Sequence, residues 1–399
     1  MRKAFLAYQY GMANAGDFAI NLGSLDLLNE FYEEVTIVSK LTVDDSEYLK
    51  NVNYTKKYYP NFNIIEGPFN LNRGSIFTTL YSYVVGALRY PILLSKKSYN
   101  EEVEQSDIVF LNGGNILRCN SFTDFVRLYA LLFPLKLSKK HGKDYVLLPQ
   151  STTSIDDRGK RLLTPFLDNA KVVFAREDIS HRILKEIFPN TKICYSLDSA
   201  FFIKDRESVF NEYYKKYSGY IDNSTVCVTI RKENLGDMGE LELSVMDKIK
   251  ENILKLIENI VNDGLNVALV IQTQKDREFT EEIYNICNSY KVSIIEEYDP
   301  LLLRELYRNS KCLFGMRLHS MILAMSVGTP VIGYFDKRWG NKNPGTLEQF
   351  KMPYSFIEDN DELYLLMDTS IKNKELMNIE IDLKKKLVID TLNEIIAKK

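Results

Sequence analysis

Two tandem, doubly wound α/β domains, each a parallel sheet covered by helices, are the architecture that this sequence predicts. Three observations predict it. Short β-branched or aromatic runs alternate with longer helical segments. The strand-like runs fall into two series separated by a polar, tyrosine-rich stretch. The 399 residues, 45% apolar and 12% aromatic, exceed what one hydrophobic core usually organises and supply enough side chains for two.

The first strand series is Ala4–Tyr8, Val35–Val38, Ile108–Leu111, Tyr145–Leu148 and Val172–Ala175. Between these runs, Phe18, Leu22, Leu25, Leu28 and Tyr32 step by three or four residues along one helical face. Further helices are expected over Phe122–Leu137 and Ile179–Ile187. The polar stretch Lys204–Asn223, with Tyr213, Tyr214 and Tyr217, reads as a linker. The second strand series follows it, as Val226–Ile230, Val267–Ile271, Val292–Ile295, Cys312–Phe314 and Val331–Tyr334. The predicted domains are therefore residues 1–203 and 224–399, joined by 204–223. The amphipathic, lysine-rich Leu383–Lys399 is expected as a last helix, a candidate to pack back on the first domain. Ligands of such sheets bind beyond the carboxyl ends of the strands, and a tandem pair is expected to face its ligand edges across one cleft.

The charge balance, 51 basic against 54 acidic residues, gives no basic excess for wrapping nucleic acid, so an anionic substrate must be met by local cations. Cys119, Cys194, Cys227, Cys287 and Cys312 lie far apart, with no CxxC pair and no histidine at zinc-ligand spacing. They read as structural thiols of a reducing compartment, and no metal is expected. The apolar run at the N-terminus is too short and too polar for a secretory core, so a cytoplasmic location is expected. Ile76–Leu94 comes nearest to a membrane span, but Thr78, Thr79, Ser82, Gly86, Arg89 and Pro91 make spanning costly. It reads as a buried or interfacial helix, with peripheral membrane contact as its functional reading.

Loops just after strands carry the candidate chemistry. Gly11–Asp17 follows the first strand and opens a helix; its small residues let backbone N–H groups approach a ligand, and Asp17 is either the helix N-cap or a site residue. It contains no GxGxxG, so no dinucleotide fingerprint is supported. The strand Ile108–Leu111 ends in Asn112-Gly113-Gly114, either a tight turn or backbone lying against a substrate. Val172–Ala175 ends at Arg176, which either lines the ligand edge or pairs with Glu177 or Asp178.

The strongest constellation is Arg317-Leu318-His319, placed at a strand's carboxyl end and a helix's amino end together. The helix is expected over Leu318–Val327, closed by Gly328. A guanidinium offers a planar fork to a carboxylate or phosphate, the helix terminus adds unpaired N–H donors, and a histidine exchanges protons near neutrality. His141 and His181 read as structural. Beyond Val331–Tyr334, Lys337, Arg338 and Lys342 are cations at the same edge, and Trp339 either packs the loop or stacks on a sugar ring.

In order along the chain stand Asn14-x-Gly16-Asp17, Asp107-x-Val109-x-x-x-Gly113-Gly114, Ala175-Arg176-Glu177-x-x-Ser180, Asp198-Ser199-Ala200, Arg317-Leu318-His319-Ser320, Gly328-Thr329-Pro330-Val331 and Asp336-Lys337. This ordered set resembles the polysaccharide pyruvyltransferase family from Asn14 to Lys337. It departs in having Asn112 before two glycines where many relatives have three, and in lacking a proline between Asp336 and Lys337.

The resemblance implies a tandem Rossmann-like fold, GT-B-like. It implies transfer of pyruvate from phosphoenolpyruvate, the donor substrate, to hydroxyls of a glycan or glycan precursor as a ketal, with release of phosphate and no cofactor. By the same resemblance Arg176, Arg317 and Lys337 surround phosphoenolpyruvate and His319 is the acid. Asn14, Asp17, Asn112, Gly113, Gly114 and Asp198 match family positions of an acceptor-side or structural loop. The implied acceptor is a sugar of a surface glycan, lipid-linked or polymeric, which would bring the protein to the inner face of a membrane.

Two other readings stand beside it. A glycosyltransferase using a nucleotide sugar shares the double-Rossmann layout, with Glu296-Glu297 as ribose ligands. A non-catalytic sugar-binding relative in an assembly complex is the other.

Overall fold

The computed structural model describes residues 2–68, 76–232, 241–287, 289–340, 342–359 and 363–397. Among these, two parallel sheets form. The first has seven strands, β1 (Lys3–Gln9), β2 (Glu34–Ser39), β3 (Asn63–Ile65), β4 (Ile108–Leu111), β5 (Asp144–Gln150), β6 (Val172–Ala175) and β7 (Ile193–Tyr195), in the order β3-β2-β1-β4-β5-β6-β7. The second has six, β8 (Thr225–Thr229), β9 (Asn266–Ile271), β10 (Val292–Glu296), β11 (Cys312–Gly315), β12 (Val331–Phe335) and β13 (Tyr354–Phe356), in the order β10-β9-β8-β11-β12-β13.

Every strand pair is parallel, and the central strands are buried on both faces, which is why they read as unbroken apolar runs. In each sheet the first strand lies between the second and a later one: β1 between β2 and β4, β8 between β9 and β11. Crossovers leave such a strand in both directions, and the loops beyond its carboxyl end open a crevice where ligands of α/β sheets bind.

The chain divides into two compact units. One comprises Met1–Met12, Ile20–Ile203 and Leu387–Lys399; the other comprises Ala13–Ala19 and Lys204–Lys386. On one face of the first sheet Phe5, Leu111, Tyr145 and Leu147, two residues apart along their strands or level across them, join Tyr8 and Phe133 in one almost fully buried cluster.

Three expectations differ from what is observed. The stretch expected as a linker holds the helix Glu207–Tyr217, which packs against the helix Pro300–Arg308 through Val209, Tyr213 and Tyr217, spaced one turn apart. The helix expected over Phe122–Leu137 is two helices, Phe122–Leu131 and Phe133–Lys140, because Pro134 lacks the N–H needed to continue the first ladder and suits the start of the second. The segment Ile76–Leu94 is likewise two helices, Ile76–Leu88 and Tyr90–Ser95, with Pro91 in the first turn of the second. No helix among the described residues is long and apolar enough to cross a membrane.

Candidate functional site

The parallel ladder between β8 and β11 runs to Thr229 and Gly315, and the Met316 N–H still donates to the Thr229 carbonyl at 3.1 Å. Two residues beyond these partners come Arg231 and Arg317, so adjacent strand ends each deliver an arginine at the switch point of the second sheet. Arg317 stands just before the helix Leu318–Met325 with extended backbone, φ −109° and ψ 125°. Its carbonyl accepts the Ser320 hydroxyl at 2.6 Å, and Ser320 Oγ lies 3.0 Å from Thr229 Oγ1, which ties the first helical turn to β8.

Asp276, from the turn after β9, grips the Arg317 guanidinium through both carboxylate oxygens: Nη2 donates to Oδ1 at 2.7 Å and Nε donates to Oδ2. Asp276 Oδ1 also accepts the Lys232 backbone N–H at 3.2 Å. The arginine is thus held in one orientation by a planar, two-point contact with a buried carboxylate. Arg231 lies with its guanidinium carbon 5.2 Å from the centroid of the Trp339 ring, and that ring is buried. Trp339 therefore packs the loop beneath a cation.

His319 occupies the second position of the Leu318–Met325 helix. Against it lies the start of the helix Ala15–Leu28, whose Ala13–Ala19 segment belongs to the second unit. A Cβ placed on Gly16 would stand 2.5 Å from His319 Nδ1 and 2.7 Å from its Cβ, so only glycine lets this backbone touch the imidazole. Asn14 sets the helix end: its Oδ1 accepts the Gly16 N–H at 3.0 Å and its carbonyl accepts the Phe18 N–H at 3.0 Å. Asn14, and not Asp17, is therefore the capping residue. Asp17 sits in the first turn, with Oδ2 3.3 Å from Asn14 Nδ2.

At the end of β12, Asp336 caps the short turn Lys337–Trp339, its Oδ1 accepting the Arg338 N–H at 2.8 Å. Burial would raise the Asp336 pKa, but hydrogen bonds from Arg338 outweigh burial and hold it below the ordinary carboxylate range. Lys337 is half-exposed, its Nζ 2.6 Å from Asp359 and 5.3 Å from the Phe356 ring centroid. Arg338 pairs with Asp336 and Glu242.

In the first unit, Arg176 follows β6 and is buried. Its Nη1 donates to Asp198 Oδ2 at 2.5 Å, and its Nε lies 3.5 Å from Glu177. Burial pulls the guanidinium pKa down, and the Asp198 and Glu177 carboxylates more than restore it. Asp198 also caps the turn Ser199–Phe202 through the Ala200 N–H at 2.9 Å. Asn112 is saturated by the protein: Nδ2 donates to the Tyr8 carbonyl and Asn21, while Oδ1 accepts from Ser24 and from the Gly113 N–H, all within 3.0 Å. A Cβ on Gly113 would meet the Pro149 carbonyl and Ser199 Oγ at 2.9 Å. Gly114, at φ +131°, would put one 2.5 Å from Tyr10 Oη, whose hydroxyl donates to the Gly113 carbonyl. The close approach that demands glycine here is to the unit's own residues.

Sequence reasoning placed Arg317, His319 and Lys337 at one sheet edge and missed Asp276, Arg231 and Lys232 beside them, while Gly16 was singled out as part of a small-residue loop but not as a neighbour of His319. The signal for Asp276 and Arg231 was their position just past apolar strands; for Gly16 it was the small-residue run Gly11–Gly16. His141 lies at a helix end with Nε2 2.8 Å from Asn100 Oδ1, and His181 packs on the Tyr195 ring, its pKa lowered by burial and Lys185.

The family model for polysaccharide pyruvyl transferase matches residues 14–334. No curated protein matches the chain by sequence. Among solved structures, the chain is similar to Neisseria meningitidis UDP-GlcNAc 2-epimerase bound to UDP-GlcNAc, at 12% identity and a TM-score of 0.61 over 98% of this chain and 100% of that one. Phytolacca americana UGT2, complexed with UDP-2fluoro-glucose and pterostilbene, is 10% identical with a TM-score of 0.61, over 100% and 99% of the two chains. A glycosyltransferase from Rickettsia africae is 14% identical with a TM-score of 0.56, over 100% and 98%. These likenesses show a GT-B-like fold.

Proposed function

Because the chain belongs to the polysaccharide pyruvyl transferase family, we propose that it moves pyruvate from phosphoenolpyruvate to two hydroxyls of a glycan or glycan precursor, forming a ketal and releasing phosphate. The observation that carries this reading is His319 in the first turn of a helix, beside an arginine fixed by Asp276, at a sheet's switch point and inside the matched residues.

In this reading the protonated His319 imidazole gives its proton to the methylene carbon of the enol. Positive charge develops at the adjacent carbon, a sugar hydroxyl attacks it, and the hydroxyl proton returns to the imidazole. The second hydroxyl displaces phosphate at the same carbon, and its proton leaves with the phosphate. Arg317, with Lys337, holds the donor's carboxylate and phosphate and stabilises the leaving dianion, an electrostatic role for which a guanidinium fork is suited; Arg176, the third cation that the family resemblance implies, keeps its own fork on Asp198 in the first unit. Asn14, Asp17, Asn112, Gly113, Gly114 and Asp198 serve in this reading either the acceptor or the loops that frame the site, and the contacts of Gly113 and Gly114 with Pro149, Ser199 and Tyr10 favour the framing role for those two.

The nucleotide-sugar alternative rests on fold likeness. Its ribose candidate Glu297 already accepts from Lys216, Tyr217 and the Tyr298 and Asp299 N–H groups, and Glu296 accepts from Arg277 and Tyr298.

Thermal melting with phosphoenolpyruvate and with uridine and guanosine nucleotide sugars tests the reading. Stabilisation by phosphoenolpyruvate alone is expected, and stabilisation by a nucleotide sugar alone would replace the reading with the alternative. His319→Ala is expected to keep the phosphoenolpyruvate shift and lose phosphate release. Near-normal release by that variant would remove the acid assignment.

A further inference from the structure

From Ile76 to Asn100 the sequence holds no acidic residue and three cations, Arg89, Lys96 and Lys97. The helices Ile76–Leu88 and Tyr90–Ser95 bury one side in the first unit. Tyr83 and Tyr90 enter its core, and the Tyr90 ring lies 4.9 Å from that of Tyr129 and 5.9 Å from that of Phe133. The other side faces outward and is apolar. Tyr81 is 71% exposed, Leu88 76% and Ile92 69%, with Val84 between Tyr81 and Leu88 at one-turn spacing. A surface helix of a globular protein ordinarily carries charges on that face, yet the thirteen residues of Ile76–Leu88 have none.

Cations rim the patch. Arg89, Lys96 and Lys97 are exposed, Lys136 Nζ lies 5.4 Å over the Tyr90 ring, and Lys140 Nζ donates to the Leu94 carbonyl at 3.0 Å. Among the described residues the acids paired with this rim are Glu66 on Lys96 and Glu101 on Lys97, which leaves these cations in excess.

We propose that this surface docks the protein on an anionic lipid bilayer. Tyr81, Leu88 and Ile92 enter the boundary between headgroups and acyl chains, while Arg89, Lys96, Lys97 and Lys140 meet lipid phosphates. An exposed apolar stripe edged by cations is the complement of a negatively charged leaflet. A second copy of the chain is a poor occupant, because two-fold pairing through this patch would bring like-charged rims together. The inference is independent of the pyruvyl-transfer reading, since no residue of that site takes part.

Sedimentation of the full chain with phosphatidylcholine vesicles, with and without phosphatidylglycerol, tests it. The protein is expected to sediment with the phosphatidylglycerol vesicles, and less so as salt is raised. Each surface cation strengthens such binding roughly fivefold. Lys96→Glu with Lys97→Glu is therefore expected to weaken it by more than about tenfold, and Leu88→Glu with Ile92→Glu by at least as much, with melting temperatures unchanged. Should the glutamate pair fail to fold, Leu88→Ser with Ile92→Ser reads the same loss. Undiminished binding by folded variants, absence of binding to the anionic vesicles, or a dimer in light scattering that Leu88→Glu splits would each overturn the proposal.

Discussion

The contact between Gly16 and His319 turns a glycine into a determinant of where the imidazole stands. Gly16→Ala would place a methyl inside the van der Waals radius of the ring and of His319 Cβ, so the side chain must tilt or the helix end must retreat. A displacement of about 1 Å costs on the order of a hundredfold in rate. Phosphate release by Gly16→Ala is expected to fall in kcat with little change in the apparent affinity for phosphoenolpyruvate, read from steady-state kinetics. Arg317 carries a double load. Removing it strips the anion ligand proposed above and also leaves Asp276 buried without its partner, so Arg317→Ala is expected to lose about 3 kcal/mol of stability in denaturant titration. Arg317→Ala with Asp276→Asn is expected to regain much of that stability but not the phosphoenolpyruvate shift, which separates the two roles. The arginine and the histidine were legible in the sequence because an apolar strand ends and a helix begins around them. Asp276 was not, because its pairing is a tertiary fact: it follows a different strand, forty-one residues earlier. Arg176 was legible as a charge at a strand end, and the choice between a cleft ligand and an ion pair was left open. The structure gives it Asp198, twenty-two residues on, as partner in addition to Glu177.

Among the elements, those with long apolar runs were readable and those with three residues were not. β3, β7 and β13 each have three residues at sheet edges, too few for a period to register. The helix Glu207–Tyr217 was hidden by its polar composition, although Val209, Tyr213 and Tyr217 repeat every four residues and are its buried face. Helix ends depend on single caps. Asn14→Ala is expected to cost about 1 kcal/mol in urea unfolding and Asn14→Ser much less, because a hydroxyl still accepts the Gly16 N–H. The turn at the end of β12 depends on Asp336, whose carboxylate is held below the usual range despite its burial. A depressed carboxylate pKa adds stability that is complete above its unfolded value, about 3.9, and is lost as pH falls through the folded value. The melting temperature of Asp336→Asn should therefore lie below that of the parent at neutral pH, and the gap should close in acid.

For the molecule as a whole, two parallel sheets and the strand series that build them were legible, since continuous burial on both faces leaves an unmistakable apolar record. The assignment of segments to units was less so, because the two units do not follow the chain in simple succession. The segment Leu387–Lys399 belongs with the first unit, and Val388 and Leu392 are almost completely buried. Leu392→Ala is expected to cost about 3 kcal/mol. Hydrogen exchange should show that loss in β1 and β4 rather than in β8 and β11. The same segment sets an order of events during synthesis. Every strand of the first sheet is synthesised before Lys204, yet the residues that finish that unit's apolar packing are added only after the whole second sheet has been translated. The nascent first unit must therefore wait with part of its interior uncovered, and a chaperone that shields apolar surface would have its longest-lived target there.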